Sequence, residues 1–401
     1  MPGKLLSSRR SFGETIGVGV ALMTLCLQAA AQETKPPLAL ADPLRFLGSA
    51  SCSASMCHGG AGPDRRQFQI WSTLDYHTKA RATLTMPRSD RFAQALDLGD
   101  AKTNNSCTTC HDPWQNLPLA RKGPNVRSTD LVSCETCHGP AEPWIRGHTR
   151  SDWSHADRVA AGLRDLKNLY VRANTCVACH QNVDSDLLKI GHPELIFELD
   201  GQSVTEPRHW RERRDWIGPQ SWLVGQAVAL RESSWQLSRE NSPHENLVPR
   251  WAALAWVVQK IAKVEKIEAP SPNPLPDHYA RMREWSDRFA RAAAEAEWSE
   301  DKTWTYLFAL TETQAEFSPE AAARPVQARR AERLVLGLDR LLLALGGTNS
   351  LPRSSQRLDQ LFQDVQSLPD FEPTIFSHRL KEFQEALAQE KATRPWRVAT
   401  P

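Results

Sequence analysis

The chain has 401 residues, with 49 basic and 47 acidic side chains and a formal net charge of +2. This length is enough for two domains and a sizeable buried core, and the balanced charge gives no global signal for nucleic-acid binding. Fourteen Trp against four Tyr is an unusual ratio. It is compatible both with indoles anchoring buried helices and with aromatic walls around a flat cofactor.

The N-terminus has the features of a secretory signal peptide. A basic start precedes an apolar run over residues 16–27, and small residues follow up to Ala31. The apolar run is too short to span a bilayer. We therefore expect cleavage of residues 1–31 and a soluble, exported protein, periplasmic or otherwise, with no integral membrane span after signal cleavage. Cys26 leaves with the signal, and eight cysteines remain.

Each of these eight cysteines belongs to a pair that ends in a histidine. The spacing is C-x-x-C-H in three pairs and C-x4-C-H in the first, CSASMCH. Disulfides and zinc are alternatives, but neither requires a histidine directly after every pair. Covalent haem does, because two thioethers hold the porphyrin and the adjacent histidine binds iron. The pattern predicts four c-type haems, attached in chain order through Cys52 and Cys57, Cys107 and Cys110, Cys134 and Cys137, and Cys176 and Cys179, with the proximal ligands His58, His111, His138 and His180.

Other histidines of the same region are candidates for the opposite face of each iron. His77, His148 and His192 lie beside aromatic or apolar residues, while His155 is a weaker candidate and His209 weaker again. Because methionine is scarce there, we expect mostly bis-histidine ligation, which favours lower reduction potentials than His/Met ligation. Three good candidates for four irons leave two possibilities open. Either another group closes the fourth iron, or one haem is five-coordinate.

The chain divides by composition into a signal peptide (1–31), a tetrahaem domain (32–200) and a helical domain (201–401). Haem must supply much of the buried surface of the tetrahaem domain, which should contain short helices and loops. Amphipathic helices are predicted later, over residues 221–237 and 247–267 among others. Another should begin with Ser318 as its N-cap and end at Gly346. The fold class is therefore mainly α, with a haem-packed N-terminal domain of little regular structure followed by an antiparallel helical bundle.

Four stretches together resemble the cytochrome c-552/c-554 type of tetrahaem cytochrome, within the multihaem cytochrome c superfamily. They are FLGSASCSASMCH, WSTLDYHTKA, SCETCHGP followed by His148, and CVACH followed by GHPELIFEL. The resemblance implies that His77, His148 and His192 are distal ligands. It also implies that the haem of Cys107 and Cys110 is the one without a protein sixth ligand.

Two functions follow as hypotheses. The leading one is an exported electron carrier that exchanges electrons with redox partner proteins through closely spaced haems. The alternative is a multihaem oxidoreductase that acts on a small nitrogen or sulfur compound, bound as a ligand at one five-coordinate haem. The spin state of the iron separates the two hypotheses.

Overall fold

The structure is a computed structural model and describes residues 44–210 and 217–394. The signal peptide predicted for residues 1–31 lies outside these ranges. The described residues are mainly helical, so the predicted fold class is confirmed in its mainly-α character. They contain no β-strand, and one isolated bridge pairs Phe46 with Lys122.

The first part of the described chain is built from short helices. Gly, Pro and Asn residues interrupt it often, which limits how far each helix extends. Short 3-10 helices, among them Ser49–Cys52 and Tyr76–Thr85, join the others. The α-helices are α1 Gln67–Leu74, α2 Pro87–Ala95, α3 Asn105–His111, α4 Cys134–His138, α5 His155–Ala160, α6 Leu169–His180, α7 Ser185–Lys189 and α8 Leu199–Thr205.

The second part contains most of the longer helices. The helices predicted over 221–237 and 247–267 correspond to α9 and α10, with bounds that differ by up to three residues. The helices are α9 Gly218–Leu237, α10 Leu247–Val264, α11 Pro276–Glu295, α12 Glu300–Thr311, α13 Arg324–Ala344, α14 Gly347–Ser350, α15 Pro352–Asp364 and α16 Pro373–Thr393.

The predicted start of α13 was wrong, whereas its predicted end is confirmed. Ser318 follows a 3-10 turn that ends at Phe317, and α13 begins six residues later, at Arg324 with Pro325 in its first turn. Proline suits the first turn of a helix because the amide it lacks would be unpaired there. Gly346 follows the helix with φ of 104°, in the left-handed region that commonly ends helices at glycine.

α9 is the central helix of the second part. It packs against α10, α11 and α13, and also against α6 and α8 from the first part. Contacts on every side bury most of its residues, and Trp222, Val228 and Leu230 are almost completely inaccessible. Buried glutamines find partners, as when Gln220 donates to the carbonyls of Ala293 and Ala296 at the end of α11.

A polar cluster joins α6, which carries the fourth cysteine pair, to the later helices. The Tyr170 hydroxyl and the Arg231 guanidinium both donate to the Asp287 carboxylate, at 2.6 and 2.7 Å. Arg231 also bonds Asn174 on α6. The predicted domain boundary at 200/201 lies within α8 and stays a prediction. None of the described helices combines the length and apolar composition needed to cross a membrane.

Candidate functional site

Helices position three of the four cysteine pairs. The second and fourth pairs lie at the C-terminal ends of α3 and α6, the third motif forms the whole of α4, and each of these helices ends at the histidine of its motif. Residues three and four positions apart share a helix face, so both sulfurs and the imidazole of one motif lie on the same side. Asn104 and Asn168 begin α3 and α6 by accepting backbone amides, which is the usual role of asparagine at an N-cap.

The longer first motif is accommodated by a tight turn. Cys52 ends a 3-10 helix, and the amides of Cys57 and Gly59 then both donate to the carbonyl of Ala54, at 2.8 and 3.1 Å. The two extra residues of C-x4-C therefore form a turn outside the regular structure. His58 follows the turn, and its carbonyl accepts the amide of Phe68.

The eight mature cysteines form no disulfide with one another, and several approach a cysteine of another motif. A hydrogen bond between the thiols of Cys52 and Cys134 lowers the pKa of Cys52. A similar bond joins Cys110 to Cys179 and lowers the pKa of Cys110. The only group of three or more metal-ligand side chains within the described residues contains no cysteine. The thiols are thus not gathered as a structural zinc site requires.

Two predicted distal histidines face proximal histidines. The ring centres of His58 and His148 are 6.2 Å apart, and those of His77 and His180 are 5.9 Å apart. These separations would allow the two imidazoles of each pair to hold one iron between them. Ordinary aromatic pairs have similar spacings. The haem interpretation is favoured because each pair joins a motif histidine to a predicted partner, so the donor set fits haem iron.

The other two motif histidines also interact with an imidazole each. Burial lowers the pKa of His111, and the nearby His192 contributes to the same shift. Burial also lowers the pKa of His138 to about 4, with His209 as the next largest cause. His209 was the weakest of the candidates considered from the sequence. The one local sign that His209 could be a ligand was its neighbour Trp210. A neighbouring aromatic or apolar residue was also the feature that marked the other candidates.

His155 is differently placed. Its Nε2 atom lies 2.8 Å from a carboxylate oxygen of Asp165. Where the other ligand candidates contact a polar group through the imidazole ring, the contacting atom is Nδ1. The Nδ1 of His58 contacts the Gln67 side chain at 3.2 Å, and that of His192 contacts the Pro193 carbonyl at 2.9 Å. A ligating histidine is typically held through its second nitrogen in this way, which leaves Nε2 for iron.

The comparison with known proteins agrees with this arrangement of cysteines and histidines. Residues 51–139 match the family described as cytochrome c554 and c-prime. Over these residues the chain is similar to c-type cytochromes. The resemblance to the cytochrome c-554 type is confirmed over the first three motifs, and it supports covalent haem binding and a role in electron transfer. The fourth motif, His148, His192 and His209 lie beyond the matched residues. No curated protein and no solved structure matches the chain.

Two buried carboxylates attach the segment before the first motif to the third. Glu135, inside the third motif, accepts the amides of Leu47 and Gly48 at 2.9 and 2.8 Å. Asp130 accepts the amide of Ser49 at 2.9 Å. Both carboxylates are almost completely buried, and an unpaired charge there would be costly. The two carboxylates therefore hold the first motif beside the third and explain the contact between Cys52 and Cys134.

Proposed function

We propose that this chain is an exported tetrahaem c-type cytochrome that transfers electrons through four bis-histidine haems. The observation that carries the proposal is that the rings of two motif histidines lie about 6 Å from a second imidazole, and a further imidazole is electrostatically coupled to each of the other two. The proposed axial pairs are His58 with His148, His111 with His192, His138 with His209, and His180 with His77.

The second haem is the one on which the alternative function depends. The family resemblance implies that this haem, on Cys107 and Cys110, lacks a protein sixth ligand. The interaction between His111 and His192 supports ligation by His192 instead. An oxidoreductase acting on a small nitrogen or sulfur compound needs an open iron, so we favour an electron carrier over an enzyme.

Reversible one-electron exchange is the chemistry that covalently bound haem supplies. The cysteine pairs hold the group in place through thioethers, and paired imidazoles favour low potentials. The Nδ1 contacts fix the orientation of the rings. At His111, for example, Nδ1 lies 2.9 Å from the Thr83 hydroxyl and 3.1 Å from the Ala80 carbonyl. Rings held in this way need little rearrangement when the charge on the iron changes.

The contacts between motifs support an order of haems that differs from the order along the chain. Cys52 of the first motif meets Cys134 of the third. Cys137 of the third motif lies close enough to Cys176 of the fourth for the two to interact electrostatically. The fourth motif then meets the second through Cys179 and Cys110. We therefore propose the order first, third, fourth, second, with the first and second haems at the two ends.

The proposal is tested by counting haems and measuring spin state on protein made in a host that attaches haem. We expect four covalent haems per chain by pyridine haemochromogen assay and wholly low-spin iron by electron paramagnetic resonance. A count below four would contradict the proposal, as would high-spin iron that binds cyanide in the unaltered protein. Export is tested on the secreted form by mass spectrometry, where we expect an N-terminus at Gln32.

Two matched variants test the axial assignments. His209→Ala should convert one haem of four to high spin, and added imidazole should restore the low-spin signal. His155→Ala should leave all four haems low spin, because the His155 ring is bonded to Asp165. The opposite pattern would show that His155 is the ligand.

A further inference from the structure

The first motif combines a terminal position in the proposed haem order with unusual exposure. Cys57 is the one cysteine of the eight that is exposed, whereas the others are partly buried. Residues 54–57 are all exposed, and Met56 keeps 75% of its surface accessible. Met56 therefore places an accessible apolar side chain directly beside the attachment residue Cys57. A haem joined to Cys57 would have this attachment at the protein surface.

The rest of the loop is compact rather than extended. We define the first-motif loop as residues 54–66. A Cβ built at Gly60 would lie 2.5 Å from the Ser55 carbonyl oxygen and 3.0 Å from the Arg65 Cβ, so Arg65 packs beside the turn that carries Met56. The amide of Arg65 donates to the Gly62 carbonyl at 2.9 Å and closes the loop.

The charge around this loop is positive. Arg65 and Arg66 are both exposed, and neither has an ion-pair partner within residues 44–210 and 217–394. The loop contains one acid, Asp64, so its two arginines give it a formal excess of one positive charge.

At the opposite end of the proposed haem order, near the second motif, Arg81 pairs with Asp112 and Lys102 pairs with Asp100.

We propose that the first-motif loop is the docking surface for an electron-transfer protein with an acidic face, with Met56 as the apolar centre and Arg65 and Arg66 as the basic rim. This inference rests on the proposed function, because it takes the first haem as a terminal one. A small apolar contact surrounded by complementary charge suits a transient redox encounter, in which charge steers association and the buried area stays low.

Two small oxidants of opposite charge test the sign of the potential at this surface. The reduced protein is mixed in a stopped-flow instrument with ferricyanide, an anion, or with hexaammineruthenium(III), a cation. The test variant is the double substitution Arg65→Glu and Arg66→Glu. The control is Arg283→Glu and Arg288→Glu, which makes the same charge change at exposed positions of α11.

At low ionic strength the test variant should lose about tenfold in its initial rate with ferricyanide and gain with hexaammineruthenium(III). Both differences should shrink at high salt, since exposed charges are then screened. The rates of the control variant with both oxidants should stay within about twofold of those of the unaltered protein. Equal responses of the two double variants would overturn the docking proposal.

A binding measurement on the unaltered protein is independent of these rates. A polyglutamate peptide serves as the acidic probe, and hydrogen–deuterium exchange with mass spectrometry locates its contacts. We expect slower exchange over residues 54–66 in its presence and none of this protection in the test variant. Protection elsewhere, or none, would contradict the proposal. A haem count below four would instead contradict the proposed function, so the two failures can be told apart.

Discussion

Asp75 should control the reduction potential of the fourth haem. Its carboxylate oxygen accepts both the backbone amide of His77 at 2.8 Å and the ring Nδ1 of His77 at 2.9 Å. The side chain is only 3% exposed, so water does not compete for it. Other ligand candidates bond neutral groups through Nδ1, as His148 does with the Ile145 carbonyl. Asp75→Asn keeps the shape and an acceptor oxygen but removes the negative charge.

The expected magnitude follows from the loss of this charge. A hydrogen bond to a charged group contributes about 1.5–3 kcal/mol. If about half of this depends on the iron's oxidation state, the difference is about 1 kcal/mol. Since 59 mV corresponds to a tenfold change for one electron, the potential of one haem should rise by about 40–60 mV. The direction is upward because a nearby carboxylate stabilises the more positive, oxidised iron.

The assay is a spectroelectrochemical titration of all four haems, followed by electron paramagnetic resonance to confirm low-spin iron. The matched control is Glu206→Gln, which removes a carboxylate 3.6 Å from the same nitrogen. The control should shift the potential less, because that contact is longer than a normal hydrogen bond. Unchanged potentials in Asp75→Asn, or a larger shift in the control, would refute the reasoning.

Three further variants test the packing that supports the site. Glu135→Gln should lower the free energy of unfolding by about 1–3 kcal/mol in urea titration, since the amide's NH2 cannot accept hydrogen bonds; an unchanged midpoint would contradict the role of Glu135. Gly48→Ala should reduce the yield of folded holoprotein, because Gly48 has φ of 86° and no room for a Cβ; a wild-type yield would count against that reading. Asp287→Asn should cost about 1–2 kcal/mol near neutral pH. Burial raises the pKa of Asp287, but hydrogen bonds from Tyr170, Arg231 and a second arginine lower it to about 2. The stability difference should therefore be complete above about pH 4 and disappear as pH falls through 2; a difference that persists at pH 2 would refute this assignment.

The long helices were predictable where apolar periodicity coincided with a clear stop signal. α10 begins at the predicted Leu247, and α13 ends where Gly346 allows a left-handed turn. The predicted start at Ser318 failed because a 3-10 turn already uses that segment, and the helix begins with Pro325 in its first turn. Serine followed by proline is a local signal for the start of a helix. Several such signals occur along the chain, and tertiary packing determines at which of them a helix begins.

The attachment residues could be named from the sequence because covalent haem chemistry acts over neighbouring residues. The two cysteines and the histidine of a haem-attachment motif lie within a few residues of one another. Their spacing therefore predicts the group that they bind. His148 and His77 could be proposed from local context, and their rings lie opposite His58 and His180. His209 could not be ranked above His155 in this way, because nothing near either residue says which imidazole will reach His138.

The sequence by itself therefore determined the cofactor chemistry, the helical class and the set of candidate ligands, since these depend on residue type and short-range spacing. The tertiary structure added which histidine rings lie near one another and which motifs have neighbouring cysteines. Those relations depend on long-range contacts, such as the carboxylate of Glu135 bonding the amides of Leu47 and Gly48. A buried charge can be stabilised by donors from a segment far away in the chain, and no local pattern records which segment supplies them.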